Sequence, residues 1–217
     1  SETSVTVRDF GRGIPLGKVV DVSSKLNTGA KFDDKAFVKS VGMNGVGIKA
    51  TNAMSAEFFI ESYRDGKASF ARYHQGKIQD QGFRDAPKEK NGTYVEFTPD
   101  PLMFVGYKYR LDIVETMVKN YSYLNKGLTL KLNDTVYKSE NGLLDLVNDS
   151  LTEDPLYAPI HIEGEDIEIV FTHGEVDNEN ISSFVNGQYT RDGGTHLAAF
   201  REAVAKTLKE FYKKDYA

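Results

Sequence analysis

The sequence predicts an α+β fold in two parts, and three observations carry that prediction. Short runs alternate apolar and polar residues with period two, as half-buried strands do; residues 5–7, 93–98 and 167–171 are examples. Other runs set apolar residues three or four positions apart, as one helix face does; Leu111, Val114, Val118, Tyr121 and Leu124 make the clearest stripe. Turn residues such as Asp65-Gly66 and Asn133-Asp134 punctuate the strand-rich stretches.

In chain order, Val5 and Val7 mark a strand that breaks into the glycine turn Asp9-Phe10-Gly11-Arg12-Gly13-Ile14-Pro15. Val19, Val22 and Leu26 mark a helix over 18–26. After a polar stretch comes Val41-Gly42-Met43-Asn44-Gly45-Val46-Gly47, a glycine loop feeding a helix over 48–54. Residues 58–64 and 68–73 flank Asp65-Gly66 as a hairpin, and Gly76-Lys77 suggests another turn. Pro99 and Pro101 stop the strand over 93–98. The Leu111 helix ends at Asn125-Lys126-Gly127, followed by a strand over 128–132.

A second unit is expected to begin near Lys138, dividing the chain into domains 1–137 and 138–217. It opens with a short amphipathic helix over 142–147. Strands over 167–171 and 183–186 follow. Asp192-Gly193-Gly194 then leads into a helix with Thr195 as N-cap and Leu197, Phe200, Val204, Leu208 and Phe211 on one side.

Composition narrows the function classes. At 217 residues, 40% hydrophobic and 27% charged, the chain has the makeup of an ordinary soluble protein. Its net charge of −5 argues against a free-standing DNA grip, which neutralises phosphates with basic residues. The absence of cysteine excludes disulfides and thiolate chemistry and fits a cytoplasmic location. His74, His161, His173 and His196 show no metal-ligand spacing. No apolar run approaches the ~20 residues of a membrane span, so no membrane partner is expected. The opening at Ser1, without Met, is expected to enter a strand from the middle of a protein.

Two glycine clusters hold the chemical signal. Gly-x-x-Gly-x-Gly over 42–47 precedes a helix; glycine there lets backbone N–H groups approach a phosphate, although three glycines also make an ordinary tight turn. Asp9 sits before a turn narrowed by Gly11, Gly13 and Pro15. Its carboxylate either accepts a hydrogen bond from an exocyclic amine such as that of adenine, or caps its own turn. No Gly-Lys-Ser or Gly-Lys-Thr exists, which excludes a Walker A loop. Asp9-Phe10-Gly11 lacks the companion motifs of a protein kinase.

The order Asp-x-Gly-x-Gly, Gly-x-x-Gly-x-Gly, then Gly92-Thr93 is that of the GHKL ATPases. Within them the chain resembles the bacterial type IIA topoisomerase B subunits. Residues 9–15 match their Asp-x-Gly-Arg-Gly-Ile-Pro. Thr28-Gly29-Ala30-Lys31-Phe32 is similar to their Gly-Gly-Lys-Phe segment, with Ala30 replacing a Gly. Gly42-Met43-Asn44-Gly45-Val46-Gly47 is similar to their Gly-Leu-His-Gly-Val-Gly, with Met43 and Asn44 as departures. Tyr123-Leu124-Asn125-Lys126-Gly127, Ser183-Phe184-Val185-Asn186 and Thr190-Arg191-Asp192-Gly193-Gly194-Thr195-His196 resemble stretches specific to those subunits. The wording of residues 7–18 is closer to topoisomerase IV B members than to gyrase B.

The resemblance implies a partial GHKL (Bergerat) α/β sandwich followed by part of a ribosomal-S5-like transducer. It implies that Asp9 binds the adenine amino group, with ordered water, Gly13 and Thr93. Gly11 belongs to the same turn, and Ile14 and Pro15 line the adenine pocket. Gly42, Met43, Asn44, Gly45, Val46, Gly47 and Ile48 cover the phosphates, Lys31 approaches the nucleotide or shapes the lid, and Arg12 and Arg64 stand at the pocket mouth. ATP and Mg²⁺ are the implied cofactors. A topoisomerase A subunit, a second B subunit and duplex DNA are the implied partners. The family's general-base Glu and Mg²⁺-binding Asn are expected upstream of Ser1, so no catalytic residue and no metal ligand is expected here and the segment alone should hydrolyse ATP negligibly. Two alternatives stay open: another GHKL ATPase of the MutL type, and a non-catalytic S5-like interaction module.

Overall fold

The structure, a computed structural model, describes residues 2–26, 28, 45–175 and 179–212. The chain forms two compact units, Ser1–Leu111 and Asp112–Ala217. The first unit thus ends earlier than the 137/138 boundary expected from the sequence.

The first unit is built on a five-stranded antiparallel sheet: β1 (Val5–Arg8), β2 (Ser55–Arg64), β3 (Lys67–His74), β4 (Lys77–Asp85) and β5 (Gly92–Pro99), ordered β1-β5-β2-β3-β4. The β2–β3 hairpin closes through Asp65 and Gly66, both at positive φ, as its Asp-Gly pair predicts. Pairing opposite residues fixes which face each side chain occupies. Phe58, Ile60, Ala71 and Tyr73 share one face with Val19, and Ile14, Val20, Ile48, Val95 and Phe97 pack around them.

Val19 comes from α1 (Val19–Ser24), which follows a single 3₁₀ turn at Leu16–Lys18; Ile48 comes from α2 (Gly47–Ala53). Both short helices therefore rest on the same face. Leu26, placed on the helix by its spacing, lies beyond it and is exposed. A buried polar seam links the two helices to the sheet. Ser23 Oγ lies 2.7 Å from Tyr73 Oη, and Asn52 Nδ2 donates to Ser23 O at 3.0 Å. These bonds allow polar groups inside an apolar layer, although Asn52 Oδ1 is buried without a hydrogen-bond partner among the described residues.

The second unit holds α3 (Leu111–Leu124), the hairpin β6 (Leu130–Leu132) and β7 (Thr135–Tyr137), α4 (Leu143–Ser150), the pair β8 (Ile160–Glu163) and β9 (Glu168–Phe171), the short pair β10 (Phe184–Val185) and β11 (Gln188–Tyr189), and α5 (Thr195–Tyr212). Three details differ from the sequence expectation. The strand expected over 183–186 is two residues long, because Asn186 and Gly187 turn it back at positive φ. Thr195 is the first helical residue of α5 rather than its cap, and Gly194 O accepts the first helical bond, from Ala198 N at 3.0 Å. On α3 the buried residues are Ser122 and Tyr123, off the apolar stripe.

Candidate functional site

Asp9 leaves β1 but stays tied to β5. Its N–H donates to Thr93 O at 2.9 Å. One carboxylate oxygen, Oδ1, accepts from Gly11 N at 2.9 Å and so makes the turn cap. The other oxygen has no hydrogen-bond partner among the described residues, and the carboxylate is exposed. The two roles considered for Asp9 are therefore compatible: one oxygen caps, the other stays available.

The turn then folds back onto the sheet. Ser62 Oγ donates to Ile14 O at 2.8 Å. Gly13 sits at φ +71, and a Cβ there would lie 2.6 Å from Tyr63 O and 3.0 Å from both Ser62 Oγ and Arg64 Cγ. Only glycine permits that approach. Arg64 thus borders the turn, half-buried, while Arg12 and Pro15 are exposed. Register places Thr93 opposite Ser62 and Ser62 opposite Ser69. A row of small hydroxyl residues therefore crosses the sheet beside Asp9 and Gly13.

Ile14 and Ile48 pack against the same apolar cluster, so the first glycine turn and the start of α2 stand on one core. Gly45 has φ +59, Val46 is exposed, and Gly47 begins α2. Lys31, Gly42, Met43 and Asn44 lie outside the described residues.

Sequence patterns do not single out three further residues. Arg8 donates to Asp9 O and, at 2.6 Å, to Lys90 O, with its guanidinium over the rings of Phe10 and Tyr63; it links the loop at Asp9 to the one before β5. Ser62 holds Ile14, as above. Lys49, on α2, is only 7% exposed. Its ammonium donates to Thr28 O at 2.8 Å and Gly45 O at 2.5 Å, and burial holds its pKa below the usual lysine range. Their partners are 48 and 21 positions away for Ser62 and for Lys49 with Thr28, beyond any local pattern.

The DNA gyrase B family model matches residues 119–217. The B subunit of DNA topoisomerase 4 from Borreliella burgdorferi is 44% identical over 98% of the chain, both glycine turns included. This chain belongs to the gyrase B and topoisomerase IV B family. The B subunit of DNA gyrase from Clostridium acetobutylicum is 32% identical, again over 98% of the chain. The chain spans 36% and 37% of the lengths of these two relatives. Among solved structures, the 43K ATPase domain of Thermus thermophilus gyrase B, in complex with an aminocoumarin, matches with a TM-score of 0.75 at 28% identity. That match covers 100% of this chain and 63% of the other. The mixed α+β architecture of both units is thus that of a gyrase B family segment. No helix among the described residues is long and apolar enough to cross a membrane.

Proposed function

We propose that this chain supplies the adenine-contacting turn and part of the phosphate-facing loop of an ATP site. The protein it belongs to then couples ATP binding and hydrolysis to passage of one DNA duplex through another. The observation that carries this is the open second oxygen of Asp9, whose first oxygen is committed to Gly11 N while its backbone N–H is tied to Thr93 O. A carboxylate is an acceptor only, and the adenine amino group is a donor that matches it. Ile14 and Pro15 give the base an apolar edge, and Ser62 fixes that edge by holding Ile14 O. Gly45 to Ile48 offer backbone N–H groups to the phosphates, joined by Gly42, Met43 and Asn44; Lys31 has the role of approaching the nucleotide or shaping the lid. Arg12 and Arg64 flank the mouth and attract the anionic nucleotide.

ATP supplies the hydrolysable γ-phosphoryl group when bound. The residues described here bind and orient it; the general base is not assigned to any of them. No three His, Asp or Glu side chains converge among the described residues, and none is given the role of holding Mg²⁺. A topoisomerase A subunit, a second B subunit and duplex DNA complete the assembly, and cytoplasmic location follows from that role.

Asp9→Asn tests the proposal in the full-length protein. Asparagine keeps Oδ1 for Gly11 N but turns an amide donor toward the adenine amino group. Loss of a hydrogen bond to a charged group predicts roughly 10–100-fold weaker binding of a non-hydrolysable ATP analogue by calorimetry. Unchanged affinity at an unchanged melting temperature sinks the proposal.

A further inference from the structure

Among the described residues, Lys49 is a buried cation with no carboxylate beside it. Its partners there are the main-chain carbonyls of Thr28 and Gly45. Burying an ammonium against carbonyls alone is costly, so its presence here calls for a role beyond packing. Its partners belong to different segments. Thr28 closes the end of α1, its hydroxyl donating to Asp21 O and Lys25 O, both at 2.7 Å. Gly45 precedes α2, and a Cβ on it would lie 3.1 Å from Thr28 O. One ammonium therefore holds the start of α2 against the end of α1.

That grip has a directional consequence. A peptide unit is planar and trans, so its C=O and the next residue's N–H point opposite ways. With Gly45 O drawn inward to Lys49 Nζ, the Val46 N–H is turned outward. Val46 is exposed, and its N–H has no hydrogen-bond partner among the described residues. We infer that Lys49 is a positioning residue for nucleotide binding: by holding the carbonyls of Gly45 and Thr28 it presents the Val46 N–H to a phosphate oxygen. This rests on the ATP-site reading above. It assigns Lys49 no contact with the nucleotide, and the gain comes from pre-organising a donor before the ligand arrives.

Two measurements on the full-length protein test it. Lys49→Met fills the same space without the ammonium; it removes a costly buried charge but leaves the carbonyls of Thr28 and Gly45 without their donor, so the two effects offset and the melting temperature should shift little. Affinity for a non-hydrolysable ATP analogue, measured well below melting, should still fall at least about tenfold as pre-organisation is lost. A residue that merely supports the fold would lower the melting temperature and leave that affinity alone, which overturns the inference. The second measurement needs no variant: in the wild-type protein, the analogue should slow hydrogen exchange at the Val46 amide by at least about tenfold. If binding depends on Asp9 but the Val46 amide stays unprotected, the role of Lys49 fails while the site stands. If Asp9→Asn binds as tightly as wild type, the site fails and the inference with it.

Discussion

The carbonyl oxygen of Asp9 lies 2.1 Å from where a Cβ on Gly92 would sit. The contact is backbone against backbone, and Gly92 also has φ +137, a conformation that residues with side chains rarely adopt. Sheet pairing and the Asp9 turn thus meet at one glycine. Gly92→Ala should force β1 and β5 apart at their ends and cost about 3 kcal/mol or more, with nucleotide binding lost in parallel. Gly17→Ala is the control, because nothing lies within 4 Å of its Cβ position. Urea titration of both variants checks the prediction, and equal midpoints would contradict it.

Ser62 is fully buried and holds Ile14 from two strands away in sheet order from β1. Ser62→Ala leaves Ile14 O without its donor while changing little volume. The expected loss of stability is about 1 kcal/mol. Because Ile14 belongs to the proposed adenine edge, ATP-analogue affinity should also fall by a few fold. A calorimetric titration that finds stability lowered and affinity untouched would separate Ile14 from the binding surface.

The opposite face of the sheet carries a charged network around Tyr63. Its hydroxyl donates to Glu61 Oε2 at 2.7 Å, and Arg84 Nε donates to Glu61 Oε1 at 2.6 Å. Burial first, and then the bond to Glu61, push the Tyr63 pKa up to about 12. The folded state therefore holds this proton more tightly than the unfolded chain, where tyrosine titrates near ~10. The stability it contributes is intact below about pH 10 and is lost as pH rises toward about 12. Tyr63→Phe should be less stable at neutral pH but should lose stability less steeply in that alkaline window. Urea midpoints measured across the window should converge; parallel curves would rule the network out as their cause.

The elements most legible in the sequence are those whose signals are local. The β2–β3 hairpin follows from Asp65-Gly66, and β5 from the alternation of Val95 and Phe97. By contrast β4, from Lys77 to Asp85, has no such signature: it is an edge strand, its residues are mostly polar, and its two large apolar side chains, Ile78 and Phe83, are exposed. Edge strands shed the alternation that burial of one face imposes. Tyr123 escapes the helix stripe for a different reason. Its hydroxyl donates to Asp149, 26 positions on, and that partner lets a polar aromatic go inside. The candidate site divides the same way. Asp9, Gly13 and Ile14 stand together in one motif, whereas the Ser62 bond to Ile14 O and the Lys49 bond to Thr28 O join residues that only the fold brings near.

In the second unit, the motif that ends in Gly193-Gly194-Thr195-His196 is tied together by side chains. Ser183 Oγ lies 2.5 Å from His196 Nε2 and 2.7 Å from Thr190 Oγ1, and Thr190 Oγ1 donates to Ser183 O at 3.0 Å. If His196 Nε2 carries the proton, one directional chain satisfies every contact: Nε2–H donates to Ser183, Ser183 to Thr190, and Thr190 to the carbonyl. The chain fastens the β10–β11 pair to the first turn of α5. Hydrogen bonds in such a chain reinforce one another, so removing either end should cost nearly as much as removing both. Ser183→Ala and His196→Ala should each destabilise the unit by about 1–2 kcal/mol, with a coupling energy of at least about 0.5 kcal/mol in the double mutant. Denaturant midpoints for the four proteins of the cycle supply the measurement. Strict additivity would mean that Ser183 and His196 hold their elements separately, and that their short contact contributes nothing to joining them.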